Sequence, residues 1–359
     1  MEKRTPGRSL ETYIHNIAID DPLAKFLIHK IIQRIICKYK NWQYQQNVSF
    51  QPTTNVTAKF KRYAVEFAQL YLTSKVSKYI HMLRIPDAPK SIQKGVPLKN
   101  VLGLAAVDCL AQNILHVYPE FSAEEFITAA MDKLEHLEFN ERGLHIAKVL
   151  REYLPQKYEK AISVILASLT PPNTETEGLG LAVLFYHPHS YFVAGYGLDE
   201  QYNEGEDPFE VSMKAQYELT KRSTSEFSIR PFLIENQERT LSRLKEWLSD
   251  PDPHVRRLCS EGTRPRLPWA PRISAFITDP SPVLPILETL KNDQVLYVRR
   301  SVANHLGDIA KDHPEIVFSL CEKWLVDATK EVKWLIRHAL RYPAKKQNKT
   351  ALQIRASAK

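Results

Sequence analysis

Between Val298 and Lys311 the chain alternates at the helical period. Val298, Val302, Leu306 and Ile309 fall on one side, and Arg300, Asn304, Asp308 and Lys311 on the other. That pattern predicts a helix with one face in a core and one polar face. The same periodicity predicts amphipathic helices over Leu104–Val117, Ala123–Leu137 and Arg142–Leu154. Pro171-Pro172-Asn173 and the acidic stretch Asp199–Asp207 read as loops. Strand patterns are scarce, so the expected class is all-α.

A weak repeat runs through the C-terminal part. Asp250-Pro-Asp-Pro-His-Val255-Arg-Arg is echoed by Asp293-Gln-Val-Leu-Tyr-Val298-Arg-Arg and by Asp327-Ala-Thr-Lys-Glu-Val332-Lys-Trp, with the valines 43 and then 34 residues apart. HEAT-type units repeat at roughly 40–47 residues, so the second spacing is short. Each Asp is expected to cap the following helix by accepting an orphan N–H. Each Val is expected to point inward and the basic residues outward. The architecture expected is a HEAT-like solenoid.

Residues 1–95 read differently. Asp21 and Pro22 open a helix that runs to Lys40, with Leu27, Ile28, Ile31 and Ile35 as its apolar stripe. Residues 41–55 read as a polar loop and residues 57–84 as a second, basic helix. Pro86, Pro89 and Pro97 mark a linker, which places a boundary near residue 95. The expected organisation is a basic helical extension over 1–95, a repeat domain over 96–345 and a basic tail over 346–359.

Composition narrows the classes. A hydrophobic fraction of 43% and a charged fraction of 25% suit a soluble chain with a sizeable core. Gly178–Leu198 holds no Asp, Glu, Lys or Arg, but His187-Pro188-His189 and three tyrosines interrupt it, so it reads as buried helix rather than a membrane span. His187 and His189 lack a carboxylate or Cys at ligand spacing, which favours packing over metal binding. Cys37, Cys109, Cys259 and Cys321 lie far apart, without a CxxC pair, and suit a reducing, cytoplasmic setting. The N-terminus has no apolar segment of the secretory kind.

The net charge of +8 is unevenly spread. Residues 1–95 hold 16 Lys and Arg against 6 Asp and Glu, residues 96–219 hold 8 against 19, and residues 220–359 hold 25 against 16. A basic C-terminal block is what phosphate tracking requires, although a solvated basic face has the same composition.

The run Asp252-Pro-His-Val-Arg-Arg-Leu-Cys-Ser-Glu-Gly-Thr-Arg-Pro-Arg-Leu-Pro-Trp269-Ala-Pro and the run Tyr297-Val-Arg-Arg-Ser-Val-Ala-Asn-His-Leu-Gly-Asp308-Ile-Ala-Lys-Asp-His-Pro closely resemble the AlkC-type branch of the AlkC/AlkD family of HEAT-like repeat DNA alkylation repair glycosylases. Ser225-Glu-Phe-Ser-Ile-Arg-Pro-Phe232 and Trp334-Leu-Ile-Arg-His-Ala-Leu-Arg-Tyr342 also match. The resemblance covers about residues 96–345. Residues 1–95 have no counterpart in it. Some members carry a C-terminal immunoglobulin-like domain, for which the residues after 345 leave no room. What the resemblance implies is a monomer that grips double-stranded DNA by its backbone. It would release cationic alkylated bases such as 3-methyladenine and 3-methylcytosine, without a cofactor or metal, in base excision repair.

The chemistry needs little. Alkylation at a ring nitrogen already makes the base a ready leaving group. Carboxylates fixed beside the sugar can stabilise the cation that develops and help a water attack. An aromatic face adds cation–π attraction. By motif match Asp308 is the main catalytic carboxylate, Glu226 the second, and Trp269 the lesion or sugar contact. Ser223-Thr-Ser-Glu226 is equally a capping box, and a Trp is often core. Glu261 either assists or anchors Arg264 or Arg266. Arg256, Arg257, Glu261, Arg264, Arg266, Arg299, Arg300 and Asn304 are the DNA-interface candidates; only part of the arginines is expected to reach phosphate, the rest pairing between repeats, and Asn304 either contacts the backbone or orients Asp308. The competing class is a non-catalytic repeat scaffold that binds DNA or protein.

Overall fold

The computed structural model describes residues 83–359, and the chain divides into two compact units, Met1–Met82 and Leu83–Lys359. The helices expected over 22–40 and 57–84 lie outside the described residues, apart from the last two positions of the second. The division falls about a dozen residues before the expected boundary. Arg84 and Pro89 are hydrogen-bonded into the second unit: the Arg84 carbonyl accepts from Asn113 Nδ2 at 2.7 Å, and the Pro89 carbonyl from the Leu181 N–H at 2.9 Å.

No strand occurs among the described residues. Short helices follow one another: α1 (Leu104–Val117), α2 (Ala123–Met131), α3 (Phe139–Tyr153), α4 (Tyr158–Ala167), α5 (His187–Tyr196), α6 (Phe209–Thr220), α7 (Ile229–Glu235), α8 (Gln237–Glu246), α9 (Pro253–Glu261), α10 (Ser274–Thr278), α11 (Leu284–Leu290), α12 (Leu296–Ile309), α13 (Pro314–Leu325), α14 (Lys330–Ala339), α15 (Arg341–Lys345) and α16 (Lys349–Ser357). α1 matches its expected span. α2 stops six residues early, because Lys133 adopts a left-handed φ of 55° and a 3-10 turn follows. α3 starts three residues early, on a capping box in which Glu138 and Glu141 exchange backbone and side-chain bonds.

The apolar run Gly178–Leu198 is not one helix. A 3-10 turn (Ala182–Tyr186) precedes α5, with Pro188 in the first turn. His187 stacks on Phe139 at 4.6 Å and donates from Nε2 to Asn140 Oδ1 at 3.0 Å, a packing role. Gly143 allows that approach, since a Cβ there would fall 2.7 Å from the His187 ring. The stretch Leu98–Val117 is long and apolar enough by composition to cross a membrane. Here it is a 3-10 turn and α1, parted at Gly103, with Val107, Leu110 and Ile114 in the core.

The repeats stack α9 on α12 and α12 on α14. Val255, Val298 and Val332 are all buried, as are Val302, Leu306 and Ile309. Each such side chain contributes roughly 1.5–3 kcal/mol by leaving water. None of the aligned Asp250, Asp293 and Asp327 is the cap itself: Asp250 and Asp293 each accept the N–H two residues on at 2.8 Å, and in the first copy it is Asp252 that caps α9, accepting the His254 N–H at 2.8 Å. In the third copy Thr329 caps α14 instead.

Nor do the arginines all point outward. Arg256 donates to the Asp250 carbonyl, and Arg299, six residues after Asp293, makes the same bond to the Asp293 carbonyl. Arg256 also grips the Asp293 carboxylate at 2.6 and 3.0 Å, joining one repeat to the next. Residues 346–359 end in a docked helix rather than a free tail. Asn348 caps α16, which buries Ala351 and Ile354 against α13 and α14.

Candidate active site

α9 carries the first part of the site. Its apolar stripe, Val255, Leu258 and Cys259, is buried, and it ends at Glu261. Gly262 follows because nothing larger fits: a Cβ would meet Ile229 Cγ2 at 2.6 Å. The chain then runs through a loop over residues 263–272. Fully buried Arg230 of α7 holds that loop by donating to the carbonyls of Pro271 (2.7 Å), Gly262 (3.1 Å) and Arg264 (2.8 Å). Burial, reinforced by Arg264, pushes the Arg230 guanidinium down to about 10.

Across α9, the loop and α12, charges of alternating sign form one connected chain. Arg257 lies 2.6 Å from Glu226 and 3.5 Å from Glu261. Arg264 donates to Glu261 at 2.6 Å and, through Nε and Nη2, to one oxygen of Asp308 at 2.8 and 2.7 Å. Lys311 closes the chain on the other Asp308 oxygen at 2.9 Å. Three carboxylates thus meet three cations. Glu261 also accepts from Ser301 Oγ at 2.6 Å. Burial alone would raise its carboxyl, but Arg257 and Arg264 outweigh that and hold it below the usual range. Burial likewise opposes the charge on Arg257, and Glu226 and Glu261 overcome it. Beneath the chain His305 donates from Nδ1 to the Ser260 carbonyl at 3.0 Å, and burial drives its pKa down to about 4.

Beside Asp308 the surface opens. Arg266, Leu267, Pro268, Trp269, Ala270, Arg272 and Lys311 line a cleft of about 380 Å³. Trp269 stands 70% exposed, with φ at +65°. A left-handed backbone at a bulky residue costs about 1–3 kcal/mol. Packing does not explain a tryptophan held there at that cost.

The residues singled out in the sequence therefore divide. Asp308, Glu261 and Glu226 come together through Arg257 and Arg264, and Asp308 is 4% exposed, not a solvated surface carboxylate. Glu226 caps no helix: α7 begins three residues later behind Ser228, and the Glu226 carboxylate accepts from Thr224 Oγ1 at 2.8 Å and from Arg257. Glu261 anchors Arg264 and Arg257, whereas Arg266 pairs with Asp312 at 2.8 Å. Trp269 is not core.

Arg256, Arg257, Arg264 and Arg299 are committed to protein groups. Arg300 is half-exposed, and its one ion pair among the described residues is with the exposed Glu177, at 3.2 Å. Asn304 points away from Asp308, its Oδ1 accepting from His338 at 3.1 Å and Arg341 at 2.9 Å. Sequence reasoning passed over Arg230, Ser301, Arg272 and the part Lys311 plays. Only Lys311 carried a signal, three residues after Asp308 and hence one turn away.

No protein-family model matches the chain. It is 37% identical over 258 residues to the uncharacterized protein YhaZ of Bacillus subtilis strain 168, covering 72% of this chain and 67% of that one. Among solved structures it resembles the Pseudomonas fluorescens alkylpurine DNA glycosylase AlkC bound to DNA containing an abasic site analog, with a TM-score of 0.63 and 36% identity. That likeness spans 72% of this chain and 67% of the other. The helical stack thus finds its counterpart in a DNA glycosylase of known structure. Within that class, the chain belongs to the AlkC-type family.

Proposed function

We propose that the protein is a DNA glycosylase that hydrolyses the N-glycosidic bond of cationic alkylated bases in duplex DNA, the first step of base excision repair. The observation that carries this is Asp308, a buried carboxylate pinned by Arg264 at 2.7 Å and joined at 2.9 Å to Lys311, which lines the cleft together with Trp269. A preorganised anion there would stabilise the cationic sugar as the bond breaks and would orient a water toward it. The alkylated base departs as a neutral molecule, so no acid is required to protonate it. Trp269 offers a π-face to the cationic base or sugar. Glu226 and Glu261 act through Arg257 and Arg264, keeping Arg264 fixed on Asp308.

For the backbone, Arg272 is exposed and Arg300 and Arg266 partly so, which leaves these three arginines able to meet phosphate. Arg272 makes no ion pair among the described residues. The test is release of 3-methyladenine and 3-methylcytosine from methylated duplex by the full chain, compared with Asp308→Asn. Absence of release by the unmodified chain, with DNA binding intact, would leave a binding scaffold.

A further inference from the structure

The chain of charges has one exposed end. Arg264 is 8% exposed, shared between Glu261 and Asp308, and its loop is tied down by Arg230. Lys311 differs on every count. It lies just past the end of α12, its side chain is 39% exposed, and it borders the cleft with Trp269 and Arg272. Among the described residues its Nζ makes one direct ion pair, with Asp308 at 2.9 Å.

That pairing conflicts with the proposed chemistry. Arg264 is already divided between two carboxylates, and Lys311 neutralises what remains of the charge on Asp308. An ammonium at 2.9 Å is also of the same sign as the sugar cation that Asp308 would stabilise. The cleft holds the means to resolve this. Arg272, on the same rim, makes no ion pair among the described residues, so a phosphodiester that reaches the cleft enters a second cation's field within a flexible four-carbon reach of Lys311.

We propose that Lys311 is a positioning residue operated by the DNA backbone: it covers Asp308 in the free protein and transfers to a phosphodiester of the bound duplex, leaving the carboxylate open toward the sugar. This rests on the glycosylase reading of the same site. The step forms and breaks no covalent bond, and one ion pair replaces another. The energetic link between the two partners is a shift of population. A ligand can move Lys311 only because it interacts with one of its two positions and not with the other.

Lys311→Met keeps the stem and removes the charge, and Lys311→Arg restores a phosphate partner. Binding of a 3-methyladenine duplex is followed by fluorescence anisotropy across a salt series, and base release in single turnover at low and at saturating enzyme. For Lys311→Met the slope of log K against log salt becomes shallower, by about 0.9 where Lys311 sits wholly on the phosphate and by about half of that where Asp308 keeps an equal share. Release at low enzyme falls. Release at saturating enzyme rises, by about twofold where the two partners hold Lys311 equally. Lys311→Arg returns the salt slope to its original value. An unchanged slope overturns the proposal, as does a saturating rate that falls, which would make Lys311 a prop for Asp308. A borohydride-trapped covalent adduct that Lys311→Met abolishes also overturns it, since the amine would then be a nucleophile. If the unmodified chain releases no base, the glycosylase reading fails, while the salt slope on duplex DNA still decides whether Lys311 meets phosphate.

Discussion

Replacing Asp308 by Asn separates the carboxylate's charge from its shape. One Asp308 oxygen receives both Nε and Nη2 of Arg264, at 2.8 and 2.7 Å. The amide oxygen of Asn can keep both bonds. The other oxygen receives Lys311 at 2.9 Å, and the amide nitrogen that replaces it cannot accept. The structural loss is therefore one half-exposed ion pair, worth about 0–1 kcal/mol, and weaker compensation of Arg264, which retains Glu261. We expect Asp308→Asn to cost about 1–2 kcal/mol of stability, well short of the roughly 3–5 kcal/mol for breaking a buried pair outright. The catalytic loss should be larger. Losing a preorganised group aimed at developing charge slows a reaction by about 10²–10³, or about 2.7–4 kcal/mol of barrier. The assay is single-turnover base release at saturating enzyme, paired with thermal denaturation and anisotropy on undamaged duplex. A variant that folds, binds and releases base within about threefold of the unmodified rate would refute the assignment. A variant that loses stability and rate by matching free energies would make Asp308 a structural ion only.

Trp269→Ala should slow release of cationic bases while leaving affinity for undamaged duplex and thermal stability nearly unchanged, because the side chain is 70% exposed; a drop in melting temperature would mark it as packed. Arg256→Ala strips a buried carboxylate, Asp293, of its partner, and should cost about 3–5 kcal/mol in denaturant unfolding without altering the salt slope of DNA binding. Arg300→Ala should do the opposite, keeping stability and flattening that slope by about 0.9. His305 is buried with its pKa lowered from 6.5 to about 4, so the unfolded chain binds the extra proton between those values. Its contribution is complete above 6.5, is lost as pH falls toward 4, and amounts to on the order of 3 kcal/mol. Glu261, held below 4.5, loses its contribution only as pH falls further. Denaturant melts from pH 7 to pH 4 should show the first loss, and His305→Gln should reduce it.

Two kinds of information decided this protein, at different ranges. The helical period of a single segment settles which of its residues face a core, and that was legible: Val298, Val302, Leu306 and Ile309 are buried as their spacing requires, and α1 has its expected bounds. The recurrence of Val255, Val298 and Val332 was enough to foresee stacked repeats, because a two-turn stripe cannot bury itself alone. The motif matches brought Glu226, Trp269 and Asp308 to notice without showing how they meet.

Where each charge goes is a tertiary matter. Arg256 meets Asp293, Arg264 meets Asp308 and Ser301 meets Glu261, each about forty residues away in sequence, across the seam between neighbouring repeats. Nothing in the period of one helix distinguishes an arginine that clamps the next repeat from one that faces solvent, since both lie on the polar side. Burial decides between them, and burial depends on how the helices stack. The same stacking turned Glu226 from a candidate cap into the partner of Arg257, placed Asp308 out of water, and left Lys311 as the exposed end of the chain of charges.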